Sequence, residues 1–349
     1  MIETAERPHL TKNEAKIGGR IKERVEDFEV EEIPAYEPCG EGHHCFLWLE
    51  KRDVDARSLI EIVAGHFGVS KADIGTAGSK DRRAITRQWV SIPAAAVEDG
   101  DAPATGTIAD GVEVLRQVNH KNKLRTGHLR GNRFRLRIRG TDLRGNALQR
   151  AVDAVGTAIE GDGLPNYYGS QRFGDGGSTL RAGWKWLTKG RAPGGRFLRR
   201  MAASALQSEI FNRVLARRLT DKTWRTVMDG DIFEKVDTGG RFWIDESERQ
   251  ETQRRLDDGA ISVTGPMPGS RDGLAKGEAG AMEREVIAEL GIDEQAFGVF
   301  GRRARGTRRA LTVFPRHFQW RVDDGDEVCL EFELPSGSYA TVLLREFTG

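Results

Sequence analysis

Phe134-Arg-Leu-Arg-Ile-Arg139 alternates apolar and basic residues without a break. That period of two commits the segment to a half-buried strand, with Arg135, Arg137 and Arg139 on one face. Other segments read the same way. Ile21 to Ile33 is extended with Phe28 and Val30 on one face, His44 to Glu50 alternates around Cys45, Leu47 and Leu49, and Ile85 to Ile92 is a strand. Near the end Val328, Leu330, Phe332 and Leu334 alternate; Pro335 to Ser338 reads as a hairpin turn and Tyr339 to Phe347 as the returning strand.

Helices interrupt these strands. Asp55 is an expected N-cap for a helix through Phe67, with Leu59, Val63 and Phe67 inward. Asn146 to Glu160 places Leu148, Val152, Val155 and Ile159 on one side. Phe197 to Leu219 is a long basic amphipathic helix whose stripe of Met201, Ala205, Ile210, Val214 and Leu215 belongs to a core, and Glu283 to Leu290 is helical. Val97 to Gly111, Gly265 to Gly269 and Gly273 to Gly280 read as loops. Strands and helices mix without a regular βαβ rhythm, so the expected class is α+β. Glu160-Gly-Asp-Gly-Leu-Pro165 is a breaker and a candidate domain boundary.

A chain of 349 residues has room for one or two domains. No apolar run approaches a membrane span, the start lacks a signal peptide's apolar core, and three cysteines are too few for a disulfide framework. A cytoplasmic protein is expected. The net charge of +1 hides strong patterning: residues 114–141 hold nine Lys/Arg and no acid, and residues 176–208 and 295–322 hold seven each, again without an acid. Acids gather instead at Glu23–Glu41, Asp245–Asp258 and Asp323–Glu333. Segregated charge builds local positive fields suited to a phosphate backbone, unless each tract is merely a solvated face.

In Gly75-Thr-Ala-Gly-Ser-Lys-Asp-Arg-Arg-Ala-Ile-Thr-Arg-Gln-Trp89 one acid, Asp81, sits among Lys80, Arg82, Arg83 and Arg87. Positive neighbours favour the charged form of a carboxylate, and one held between a turn and a strand can serve as nucleophile or base on an anionic substrate. The alternative is a surface turn with ion pairs. Cys39, His43, His44 and Cys45 lack a second ligand pair, so no metal is expected. Asn166-Tyr-Tyr-Gly-Ser-Gln-Arg-Phe-Gly174 combines aromatics that can stack on bases with amides that read base edges; it serves equally well as a turn plugging a domain junction. In Gly131-Asn-Arg-Phe134, Asn132 can bond a uracil edge and Phe134 can stack on it, or Phe134 can simply open the strand's buried face.

Glu26–Glu31, Gly78–Thr86, Gly131–Phe134, Asn166–Gly174, His120–Arg125 and Leu334–Thr341 occur in an order that resembles the TruD family of tRNA pseudouridine synthases, over about Gly19 to Phe347. The resemblance implies an α+β pseudouridine synthase core with a mixed or antiparallel sheet, formed by residues 1–162 and 311–349, and an inserted α+β domain at 163–310. It implies isomerisation of uridine to pseudouridine in RNA, at position 13 of tRNA, with the base flipped out. Asp81 matches the catalytic aspartate, Lys80 the lysine beside it, and Phe28, Asn132, Phe134 and Tyr339 match positions near the target base. Lys121, Lys123, Arg125, Arg130 and Arg172 are candidate RNA contacts. The reaction has no net redox change, so no cofactor or metal is expected. A monomer is expected, since no heptads call for a partner. Two other readings are a non-catalytic RNA-binding or chaperone protein with the same basic surface, and a methyltransferase, against which the lack of a glycine-rich cofactor loop counts.

Overall fold

The computed structural model describes residues 2–98, 105–271 and 273–349. The chain divides into two compact units. One, the sheet unit, comprises residues 15–156, 315–337 and 347–349; the other, the helical unit, comprises 1–14, 157–314 and 338–346. The expected boundaries at 162 and 310 lie close to two of these divisions, while residues 1–14 and 338–346 group with the middle of the chain.

The sheet unit begins with a short 3-10 turn, Val25–Asp27, where continuous extended chain was expected, and then β1 (Phe28–Pro34) and β2 (His44–Arg52). Helix α1 (Ala56–Phe67) follows. The Asp55 side chain accepts from the backbone N–H of Arg57 and Ser58, as an N-cap should, and Gly68 ends the helix at φ 64°. Strands β3 (Gly75–Thr76) and β4 (Ile85–Pro93) flank the Asp81 loop. A short helix α2 (Ala95–Glu98) and strand β5 (Gly106–Ala109) occupy both ends of the expected loop at 97–111; its residues 99–104 lie outside the described ones. Strands β6 (Val112–His120) and β7 (Leu129–Ile138) complete this part, and α3 (Gly145–Asp162) follows.

The helical unit contains β8 (Leu164–Pro165), α4 (Ser178–Lys189), α5 (Arg196–Thr220), β9 (Phe233–Lys235), β10 (Arg241–Phe242), α6 (Arg249–Asp257), β11 (Ile261–Met267), α7 (Gly277–Glu289), β12 (Thr307–Ala310) and β13 (Thr312–Val313). Its larger sheet runs β10-β9-β11-β12. Gly265 to Met267, expected as loop, is the second half of β11. β9 pairs only with residues 261–263 of that strand, so Pro266, which has no N–H to offer, sits where the ladder is open on one side. Likewise α7 takes in Gly277–Gly280 from the other expected loop.

The chain returns to the sheet unit as β14 (Arg316–Asp323) and β15 (Glu327–Pro335); the last helix, α8 (Ala340–Thr348), belongs to the helical unit through Glu346. The partner of β15 in the hairpin is therefore β14, and the segment expected as a returning strand is a helix. Ala340, Leu343, Leu344 and Phe347 are buried at spacings of three and four, a helical stripe that outweighs the strand preference of Thr341 and Val342.

Nine strands form the main sheet, in the order β14-β15-β7-β1-β4-β2-β6-β5 with β3 added to β4. All pairings are antiparallel except β1 with β4. The class is α+β. Register decides which residues share a face. Val30 lies opposite Phe134 and Thr86; Phe134 lies opposite Phe332; Thr86 lies opposite Lys51. One face therefore carries Phe28, Asn132, Phe134, Leu47, Leu49 and Lys51. Helix α1 covers part of it, packing Leu59, Val63 and Phe67 on Leu47, Leu49, Val90 and Val112. At the β14 end α3 packs so closely that a Cβ on Gly156 would stand 2.4 Å from the Trp320 ring, which explains a glycine inside a helix.

Candidate active site

The opposite face of the sheet corrects the charge argument. Arg133, Arg135 and Arg137 do point together, but they meet carboxylates from neighbouring strands. Arg133 pairs with Glu31 at 3.2 Å and Glu333 at 2.8 Å, Arg135 with Glu331 at 3.2 Å, and Arg137 with Glu327 at 2.6 Å. The acid-rich segments noted around Glu23–Glu41 and Asp323–Glu333 supply these partners. Across β7 the basic tract is an ion-pair ladder rather than a bare positive surface.

The loop between β3 and β4 carries Lys80 and Asp81 as neighbours with opposite surroundings. Lys80 runs inward: its Nζ lies 2.7 Å from Glu32 Oε2, and both side chains are almost wholly buried. Glu32 in turn accepts from the Trp89 backbone N–H at 3.4 Å. Lys80 thus pins the loop to β1 and β4. It is not the cation facing Asp81.

That cation is Lys22, which was not among the expected residues. Its Nζ lies 3.3 Å from Asp81 Oδ1, with the Asp81 side chain 38% exposed. Among the described residues Asp81 Oδ2 has no hydrogen-bond partner, which leaves one carboxylate oxygen open to chemistry. Lys22 has φ 59°, an uncommon backbone conformation for a non-glycine residue. Its ammonium also lies over the Phe28 ring, 3.9 Å from the centroid, so one side chain ties the carboxylate to the aromatic wall.

Phe28 meets Phe134 edge to face at 6.4 Å between centroids, and Phe134 stacks on Phe332 at 5.2 Å. Two residues before Phe134 on the same face of β7 is Asn132. Its Oδ1 is buried and has no hydrogen-bond partner among the described residues. A buried unmatched acceptor is costly, and a ligand N–H would satisfy it. The sheet unit therefore brings together Asp81, Phe28, Asn132 and Phe134.

Beneath the loop Lys51, on β2, is fully buried and donates to two carbonyls, Val54 O and Asp81 O, each at 2.6 Å. This residue was also missed, though the inward alternation Cys45, Leu47, Leu49 points directly to it. Burial pushes the Lys51 ammonium down to about 8; Lys80 pushes the same way, while Asp81, Asp55 and Asp53 oppose. In the unfolded chain lysine keeps its proton to about 10.5. Between those values the unfolded state binds more protons, so this group's contribution to stability rises with pH, while its neutral amine still has two N–H groups for the two carbonyls. In chemical unfolding the stability of wild type relative to Lys51→Met is expected to grow between about pH 7.5 and pH 10; a constant difference would contradict the burial argument.

In the helical unit Tyr339 sits beside Tyr168, at 6.0 Å between centroids, and against Gly169, where a Cβ would come within 2.8 Å of its ring. The Asn166–Gly174 segment is woven into this unit. Asn166 Nδ2 donates to Ala310 O at 3.0 Å and its Oδ1 accepts from Arg309 and Ser338; Asn212 bonds both backbone groups of Tyr168; Arg309 lies 4.2 Å from the Tyr168 ring centroid. Tyr167 and Phe173 are fully buried. Of the two readings of this segment, these contacts support the structural one. Arg172 is held by Ser204 and Ser208 on α5.

The remaining candidate RNA contacts lie in the sheet unit. Lys121 pairs with Glu41 at 2.6 Å, Lys123 donates to Ala72 O at 2.5 Å, and Arg125 and Arg130 are exposed without an ion pair among the described residues. No group of three metal-ligating side chains occurs, and no helix is long and apolar enough to cross a membrane, among the described residues.

Known proteins resemble this chain over nearly its whole length. The sequence profile of the family described as tRNA pseudouridine synthase D (TruD) matches residues 5–190 and 195–347. The tRNA pseudouridine synthase D of Thermus thermophilus is 42% identical over 340 residues, covering 97% of this chain and 91% of the relative. That of Anaeromyxobacter dehalogenans is 41% identical over 347 residues, covering 98% and 96%. Among solved structures, a putative tRNA pseudouridine synthase D (TruD) from Methanosarcina mazei superposes with a TM-score of 0.76 at 25% identity, covering 98% of this chain and 95% of that one.

Proposed function

The chain belongs to the tRNA pseudouridine synthase D (TruD) family, and from that premise we propose that it isomerises uridine 13 of tRNA to pseudouridine, with Asp81 as the reacting carboxylate. The observation that carries this reading is the Asp81 carboxylate, whose Oδ1 meets Lys22 and whose Oδ2 is open, beside an aromatic wall and the unmatched buried Oδ1 of Asn132.

The chemistry follows from what these groups can do. A uridine flipped from the stack presents its glycosidic bond to the carboxylate. Asp81 either adds to C1′ or removes the C2′ proton. The C1′–N1 bond breaks and its electron pair goes to N1 of uracil. Phe28 and Phe134 form the apolar wall beside the detached ring, and Asn132 Oδ1 accepts its N3–H. The ring turns and C5 bonds to C1′; in the first route the C1′–O bond to Asp81 breaks as the carboxylate leaves, in the second the proton on Asp81 returns to C2′. A base removes the C5 proton and N1 takes up a proton, which restores the ring. Atoms and electrons balance between RNA and protein alone. In this reading residues 1–162 and 311–349, which take in the sheet unit, are the catalytic core, and residues 163–310, the middle of the helical unit, correspond to the family's insertion.

The test is tritium release from an unmodified tRNA transcript carrying [5-3H]uridine. One tritium should be released per tRNA, and none from a transcript with cytidine at position 13. Binding without release would favour the RNA-chaperone reading, and release from the cytidine transcript would exclude position 13 as the target.

A further inference from the structure

In the helical unit two short pieces of the basic tracts, Arg196–Arg200 and Arg302–Arg303, behave unlike the ladder on β7. The first turn of α5 and the turn at 302–303 converge on a cavity of about 710 Å³ lined by Arg196, Phe197, Arg200, Arg302 and Arg303. All five residues are exposed. None of the four guanidinium groups forms an ion pair with a described residue, whereas most arginines on β7 face a carboxylate. Phe197 is 63% exposed in the first turn of α5, beside the exposed Leu198, whereas the apolar residues from Ala202 to Leu215 are buried, and Arg200 lies over the Phe197 ring at 6.0 Å.

Four like charges around one hollow repel each other and concentrate a positive field there. An anion removes the repulsion, and guanidinium groups match phosphate oxygens two at a time. An open aromatic ring at the same place suits a ligand with both phosphate and a flat base. A duplex hides its bases in the stack; an unpaired segment offers both. We infer that this arginine-lined hollow is a second RNA site, which takes an unpaired stretch of the tRNA by its phosphates and stacks one base on Phe197. The inference rests on the tRNA reading above and adds a site that acts on binding rather than on the isomerisation step.

Two variants test it, Arg200→Gln/Arg302→Gln/Arg303→Gln and Phe197→Ala, with exposed side chains whose loss leaves the fold intact by circular dichroism. Equilibrium binding would be measured for unmodified tRNA, a single-stranded oligonucleotide and a blunt RNA duplex across a salt series. The triple variant should flatten the plot of log affinity against log salt by about two units for tRNA, since each single-strand phosphate contact contributes roughly 0.7. Phe197→Ala should weaken tRNA and single strand five-fold or more and leave the duplex unchanged. At saturating enzyme the single-turnover rate of pseudouridine formation should equal wild type in both. An unchanged salt slope, or equal weakening of single strand and duplex by Phe197→Ala, overturns the proposal. Absence of pseudouridine with wild type would instead strike the functional reading and leave the binding result to stand on its own.

Discussion

Asp81→Asn is expected to lower single-turnover pseudouridine formation by about 10⁴-fold or more while tRNA affinity stays as in wild type. Asparagine keeps the size of the side chain and a carbonyl oxygen where Oδ1 meets Lys22. What it lacks is the negative oxygen that either bonds to C1′ or takes a proton, so the loss falls on the chemical step. Binding is spared because the phosphate contacts lie on other residues. Gel-shift affinity and single-turnover rate, measured on one transcript, separate the two effects. A variant that retains most of the rate would remove Asp81 from the reaction.

Lys80→Met is expected to act on stability instead. It leaves Glu32 buried beside Trp89 without its cation, and breaking such a pair costs about 3–5 kcal/mol. The double variant Lys80→Met/Glu32→Leu should recover most of that loss, because no buried charge is then left alone. Thermal unfolding and rate, both measured below the variant's transition, distinguish this role from a catalytic one. A Lys80→Met protein of wild-type stability with a large rate loss would mean that the lysine acts on the substrate.

These two neighbours mark how far the sequence could be read. The loop, its acid and the strand that follows are local features, and turn residues and alternation place them within a residue or two. The same holds for the Asp55 cap and the stripe of α3. Which way adjacent side chains point is not local: Lys80 was expected beside Asp81 and turns instead to Glu32, 48 residues earlier. Lys22, which meets Asp81, has a left-handed backbone, for which Lys carries no sequence signal. Lys51 was within reach, one step further along an alternation already recognised in β2.

Charge windows misled for the same reason. Acid-free sequence around Phe134 becomes a neutral ladder once β1 and β15 lie on either side, whereas the tract at Arg196–Arg200 keeps its field because no described acid folds against those arginines. The terminal segment Tyr339 to Phe347, expected as the strand returning from the Pro335–Ser338 turn, is a helix. Over nine residues the two periods are hard to tell apart until burial picks one.

The most direct measurement is single-nucleotide mapping of pseudouridine in unmodified tRNA transcripts incubated with wild type and with Asp81→Asn, with nothing else added. Pseudouridine at position 13 with wild type and at no position with the variant is the predicted result. Pseudouridine at another position, or the same yield from both proteins, would contradict it.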